Sequence, residues 1–190
     1  MNEPLVLHPS STAQWKALVE DASANASIDL NEELQSYLVF LLMRFNTDPW
    51  VIHHILAQDF LENISKRQKQ QQDNLRDVGD KCLLFSGLFP ENAKRKHVEI
   101  SYYVKMGQTA YNSLSQTNEA ELAELFSQLC EEFVKLMDVL HSIRSLDPTA
   151  PSLDLLTAEN LWRETHSQTA AQILQQKTNS FFLPPNHTRQ

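Results

Sequence analysis

The sequence predicts an all-α protein, a single-domain helical bundle of six or seven helices, on three observations. Apolar residues recur at three- and four-residue steps through most of its 190 residues, which is the repeat of one helix face. No segment sustains the every-second-residue alternation of a half-buried strand. The apolar stripes are separated by short breakers, so each stripe needs another helix to cover it. The domain is expected to span residues 1–178, with 179–190 as an extended or disordered tail.

The first helix follows Ser10 or Ser11 and carries a modest stripe of Trp15, Leu18, Val19 and Ala22, before a small, polar linker from Ser23 to Ser27. A stronger helix starts near Asp29, which has capping-box spacing to Glu32. Its stripe is Leu30, Leu34, Tyr37, Leu38, Leu41, Leu42 and Phe45. Asp48-Pro49 restarts the chain with an acidic cap and a first-turn proline, and Trp50, Ile52, Ile55, Leu56, Phe60 and Ile64 continue a third helix. The glutamine- and lysine-rich stretch 65–74 is read as helix on propensity. Arg76 with Asp80, and Asp77 with Lys81, have the i,i+4 spacing that supports it.

Phe89-Pro90 ends that helix, because the residue before proline avoids helical angles. A short link leads to a helix from about Lys94 or Glu99 to Leu114. Asn118 with Glu121 suggests a second capping box, opening one long stripe from Leu122 through Phe126, Phe133 and Leu140 to Leu146. At 1.5 Å per residue that rod is roughly 40 Å long, so a homodimer seam is an alternative to core packing. Asp147-Pro148 and Pro151 stop it, and a last helix is expected over Thr157 to Lys177.

A formal charge of −8 opposes nucleic-acid binding, which needs a basic face to release counterions. Lys94-Arg95-Lys96-His97 is a short basic run, read as a solvated helix start or loop. The two cysteines, Cys82 and Cys130, sit in apolar helical patterns as free thiols, which suits a reducing compartment. Residues 1–9 lack signal-peptide features, and the longest apolar run, Tyr37 to Met43, is far short of the roughly 20 residues that span a bilayer. A cytosolic location and no membrane partner are expected, so the Asn-x-Ser/Thr triplets at Asn25, Asn63 and Asn186 carry no weight.

The unusual part of the chain is central. Its three glycines, Gly79, Gly87 and Gly107, fall close together, and Tyr102, Tyr103 and Tyr111 lie in the same region. On one helix, Gly79, Cys82, Ser86 and Gly87 form a strip of small side chains. On the next, Tyr103, Gly107 and Tyr111 are spaced by four, leaving a notch between two rings. Either another helix packs closely into these gaps, or they form a pocket for a small apolar ligand walled by Phe85, Phe89, Tyr102, Tyr103 and Tyr111. Asp80, beside Gly79, is the polar residue of interest, with a surface pair to Arg76 as its ordinary role.

The string Gly-Asp-x-x-Leu-x-x-x-Gly-x-Phe-Pro-Glu at Gly79 to Glu91, followed by Tyr-Tyr-x-x-Met-Gly-x-x-Ala-Tyr at Tyr102 to Tyr111, resembles a family of small bacterial all-helical proteins of unassigned function. The resemblance covers about 35 residues. It implies an all-helical fold and a bacterial cytosolic protein, and it brings no catalytic residue with it.

Catalytic and metal patterns are missing from the sequence. His53-His54 are adjacent and point about 100° apart on a helix, so one helix cannot aim both at one ion; the inward Glu-x-x-His pairs of a two-metal bundle do not occur. There is no Gly-x-Ser-x-Gly elbow and no phosphate-cradling loop. The chain is therefore read as a non-enzymatic binding or interaction protein without cofactor, acting through the Gly/Tyr hairpin or as a homodimer. The second reading is a carrier or sensor of an acyl chain or aromatic metabolite.

Overall fold

Helix after helix follows from stripe and cap in residues 10–47 and 68–178, the parts of the chain that the computed structural model describes. Helix α1 spans Ser11–Ala26, its first turn capped by the Ser10 hydroxyl, which accepts from the Ala13 N–H at 3.2 Å. Helix α2 covers Glu32–Thr47. Its cap is Asn31, whose side-chain oxygen accepts from the Leu34 N–H at 2.9 Å, and not Asp29 as the box spacing suggested. Helix α3 runs Gln68–Gly87, a short α4 Glu91–Arg95, and α5 Ile100–Leu114. Helices α6, Ala120–Glu131, and α7, Phe133–Ser145, follow, then α8, Leu155–Thr165, and α9, Gln168–Thr178.

The described residues are all-helical, with no strand among them, but they hold nine helices where six or seven were expected. The third expected helix, from Asp48 to Ile64, and the tail lie outside the described residues. Three departures raise the count. Residues 91–95, expected as a link, close a helical turn of their own. The long rod breaks at Glu132 (φ −93°, ψ 10°): α6 lies on α5, whereas α7 packs between α1 and α3, and one straight rod could not follow both surfaces. The last helix breaks at His166, whose left-handed backbone (φ 58°) ends α8.

Two smaller expectations also change. Ser23 and Ala26 belong to α1 and are buried, so the stretch read as a linker is a small-residue helix face. Helix α6 opens at Glu119 with no side-chain cap, not with an Asn118 box.

Helix α7 is the axis of the bundle. Phe133, Leu136, Met137, Val139 and Leu140 are all buried, so it is apolar around most of its circumference, as a fully enclosed helix must be. The mid-section of the rod is thus covered within the chain. Its two ends, Leu122 and Leu146, remain exposed.

All three glycines sit inside helices, and none has positive φ. A Cβ at Gly79 would lie 2.4 Å from Tyr111 Cε1, one at Gly107 2.4 Å from Phe133 Cε2, and one at Gly87 2.5 Å from Leu140 Cβ. Each is closer than atoms can pack, so these glycines are needed for proximity. The left-handed helix ends, where glycine is the usual residue, are held instead by Ser27, His97 and His166 (φ 56°, 56° and 58°). After α4 the closure is a Schellman pair: Val98 N–H donates to Ala93 O at 3.1 Å and His97 N–H to Lys94 O at 3.2 Å.

Substitutions should therefore act with opposite signs. Gly→Ala inside a helix ordinarily gains about 1 kcal/mol, but Gly87→Ala should lose about 1–3 kcal/mol by overpacking. It should be the worst of the three, because Leu140 Cβ is fixed to the α7 backbone and cannot swing aside. Ser27→Gly, at an exposed left-handed position, should gain about 0.5–1 kcal/mol. Urea titration of the two variants checks both signs; a stabilising Gly87→Ala would contradict the packing described.

Candidate functional site

The residues singled out in the sequence are brought together, but mostly as a filled wall. Tyr111 covers Gly79, Phe133 and Cys82 cover Gly107, and Leu140 covers Gly87. Phe85 and Tyr103 are buried and stacked, ring centroids 5.5 Å apart, with Lys96 Nζ 5.6 Å above the Phe85 ring. Phe89 packs edge-on against Phe45 at 5.6 Å. Tyr102 does not join this wall: it is 45% exposed and touches Tyr103 from the outer side. The space left by the missing side chains is occupied by the protein itself, which favours close helix packing over a ligand pocket at this place.

Asp80 departs most from its ordinary reading. It is 1% exposed and collects donors from two other helices. Tyr37 of α2 and Tyr111 of α5 donate their hydroxyls to Oδ1 at 2.6 and 2.7 Å, and Arg44 of α2 donates to Oδ2 at 3.0 Å. Arg76, the expected surface partner, stands 3.9 Å from Oδ2 and donates its Nε–H to the Tyr37 hydroxyl at 3.3 Å. Its guanidinium also lies 5.3 Å over the Tyr37 ring. Burial pushes the Asp80 carboxyl upward, opposed by the Tyr37 hydrogen bond, Arg44, Tyr111 and Arg76. Burial and the Asp80 charge both raise Tyr37 and Tyr111, so both phenols stay protonated as donors. A group this enclosed cannot touch a substrate; its role is to fasten α2, α3 and α5.

Two further buried polar groups, Asp138 and His141, lie on α7, and the sequence reading passed over both. The signal was present: an acid and an imidazole inside the apolar run Phe133 to Leu140 and beyond. Asp138 accepts from the Ser167 hydroxyl at 2.5 Å and from the Gln168 N–H at 2.8 Å, while Ser167 Oγ accepts from the Ala170 N–H at 3.1 Å. Helix α9 is thus capped partly from another helix. Burial raises the Asp138 carboxyl to about 6, against hydrogen bonds from Ser167, Gln168 and Thr169. His141 is 3% exposed and its Nε2 has no hydrogen-bond partner; burial, then the nearby Arg144, lowers it to about 3.

Open space lies at the elbow of the hairpin. A cleft of about 560 Å³ is bounded by Pro90 and α4 on one side and by Pro151 and the start of α8 on the other. Its inner surface includes Ile100 and Leu153, both buried. Leu156 stands on its edge, 67% exposed, beside Leu155 at 43%. Four charges of the rim are paired with each other, and a fifth, Glu99, accepts from the Asn160 side chain at 3.4 Å. Arg144 meets Glu91 at 3.0 Å and Lys94 meets Asp154 at 3.5 Å. Asp154 also caps α8 by accepting from the Thr157 N–H at 3.0 Å, and that bond leads the causes holding its carboxyl low. A second cleft, about 350 Å³, shares Arg144, Pro151, Ser152 and Leu153 with the first and extends to Gln176 of α9.

No family model, curated protein or solved structure matches the chain. Among the described residues no helix is long and apolar enough to cross a membrane, and no cluster of three or more His, Cys, Asp or Glu could hold a metal ion. His53 and His54 lie outside the described residues.

Removing the Asp80 carboxyl tests the fastening role. Asp80→Ala should cost about 3–5 kcal/mol, since it leaves two buried hydroxyls without their acceptor and removes the nearer of the two carboxylates that Arg44 meets; Tyr111→Phe should cost about 1 kcal/mol. Urea titration reads both, and a loss under about 1 kcal/mol for Asp80→Ala would remove the hub from the account.

Asp138 and His141 predict opposite pH slopes. The Asp138 carboxyl is raised from 3.8 to about 6 in the fold, so its stabilising contribution is complete below pH 3.8 and lost as pH rises through about 6. The difference in unfolding free energy, wild type minus Asp138→Asn, should therefore fall by about 3 kcal/mol between pH 4 and 7. His141 is lowered from 6.5 to about 3, so wild type minus His141→Leu should rise with pH from about 3 to 6.5. Slopes of the same sign would contradict these assignments.

Proposed function

We propose that this protein is a non-enzymatic helical interaction protein that engages a partner through the cleft at the elbow of its central hairpin. The observation that carries the reading is the contrast between two surfaces of the hairpin. Its Gly/Tyr faces are occupied by Tyr111, Phe133 and Leu140, whereas its elbow borders an open cleft edged by the exposed Leu156, whose chain neighbour Leu155 is exposed as well. Apolar side chains gathered beside open space are the usual mark of a surface that another molecule covers. The rim supports binding over catalysis, because Glu91, Lys94, Arg144 and Asp154 are committed to ion pairs and a helix cap, and Glu99 accepts from the Asn160 side chain.

Self-association belongs to the same proposal, with a second copy as one form of partner. A small apolar ligand is the weaker alternative, since the gaps proposed for it hold protein atoms. The cytosolic setting is part of the reading and is supported by the two free thiols, Cys82 and Cys130. The resemblance of the hairpin string adds a bacterial source to the proposal.

Native mass spectrometry of protein purified from its host, compared with the double variant Leu155→Glu/Leu156→Glu, tests this reading. Wild type should carry a second polypeptide or a second copy. The variant should lose it while keeping the melting temperature, since both leucines are exposed. A retained small molecule in place of a polypeptide, or a complex indifferent to the double substitution, would overturn the reading.

A further inference from the structure

We propose that the elbow cleft is a seat for the chain's own segment Phe181-Phe182-Leu183-Pro184-Pro185, which covers the site until a partner displaces it. The inference rests on the preceding reading of the cleft as a docking site and names how that site is regulated.

The first argument is position. Helix α9 ends at Thr178, and Lys177 Nζ donates to the Leu153 carbonyl at 3.1 Å. Leu153 lines both clefts, and Gln176 lines the second. The described chain therefore stops beside the wall that the two clefts share. Phe181 to Pro185 follow by three to seven residues, a reach of about 10–25 Å for extended chain.

The second argument is chemistry. The segment is five consecutive apolar residues, and residues 179–190 contain no acidic side chain. The cleft offers apolar surface from Ile100, Leu153 and Leu156, and four of its rim charges are neutralised as Arg144–Glu91 and Lys94–Asp154. Such a surface favours an apolar occupant over a charged one. Proline has a fixed φ and restricts the residue before it, so a Leu-Pro-Pro sequence has less freedom to lose on docking than an ordinary one. Attachment through a short connection supplies an effective concentration of about millimolar, which lets a weak contact stay closed. A partner with the same chemistry, a short extended segment of aromatic residues and prolines, would compete for the seat.

The test uses the full chain and the triple variant Phe181→Ser/Phe182→Ser/Leu183→Ser. Backbone amide NMR shifts should differ between the two at cleft residues such as Val98, Ile100, Leu153 and Asn160, and the difference should not depend on protein concentration. A synthetic peptide of residues 179–190 should bind the variant and restore those shifts. It should bind wild type at least about tenfold more weakly, because the attached segment competes. Shift differences confined to the substituted residues, or equal peptide affinity for both proteins, would overturn the inference. Concentration-dependent shifts would overturn it in favour of a segment donated by a second copy. The docking reading is judged separately: if the triple variant leaves the cleft shifts unchanged but Leu155→Glu/Leu156→Glu still removes the partner, the seat fails and the docking site stands.

Discussion

Helix α3 can lie where it does only because three of its contacts have no β-carbon in the way. At Gly79 and Gly87 its own backbone admits the Tyr111 ring and Leu140, and at Gly107 the facing helix admits Phe133 and Cys82. Close approach then places Asp80 within reach of Tyr37, Arg44 and Tyr111 at once. The two features depend on each other. Without proximity the carboxylate would be buried without enough donors, which is costly; without the carboxylate the tyrosine hydroxyls would be stranded instead. The rest of the described bundle hangs on this junction, since among the described helices α3 and α5 share the most extensive contact and α7 packs on α3.

That constraint moves the search for function away from the chemistry most visible in the chain. A cluster of glycines and aromatic rings invites a pocket, but rings that fill glycine gaps are unavailable to a ligand. Among the described residues, the hairpin borders a larger open cleft where it turns, at Pro90, the left-handed His97 and the segment around Pro151. The elbow is also where helix ends, caps and ion pairs already order the backbone, so a partner of the kind proposed would meet a preformed surface.

Much of the fold was legible because stripes and breakers are local. The helical class, the stop at Pro90 and the helix through the glutamine-rich stretch from Gln68 all follow from propensity and period. The Glu132 break did not, because both flanking segments keep one apolar period and only their different neighbours force the bend. The break at His166 was hidden for another reason: left-handed caps usually announce themselves as glycine, and here the glycines are used elsewhere. Within the site, the importance of positions 79, 87 and 107 was readable, but not what fills them. Tyr111 pairs with Gly79, not with its own-face neighbour Gly107, and Phe133 arrives from a helix remote in sequence. Asp80 looked like half of a surface pair because Tyr37 had been counted only as an apolar ring.

Native-state hydrogen exchange of the α3 amides tests the central claim most directly. If glycine proximity and the Asp80 hub make α3 the junction of the bundle, amides from Gly79 to Gly87 should exchange only through global unfolding, with the same free energy that denaturant titration gives for the whole protein. Exchange of that segment through an opening that leaves α1, α2 and α7 protected would contradict the account.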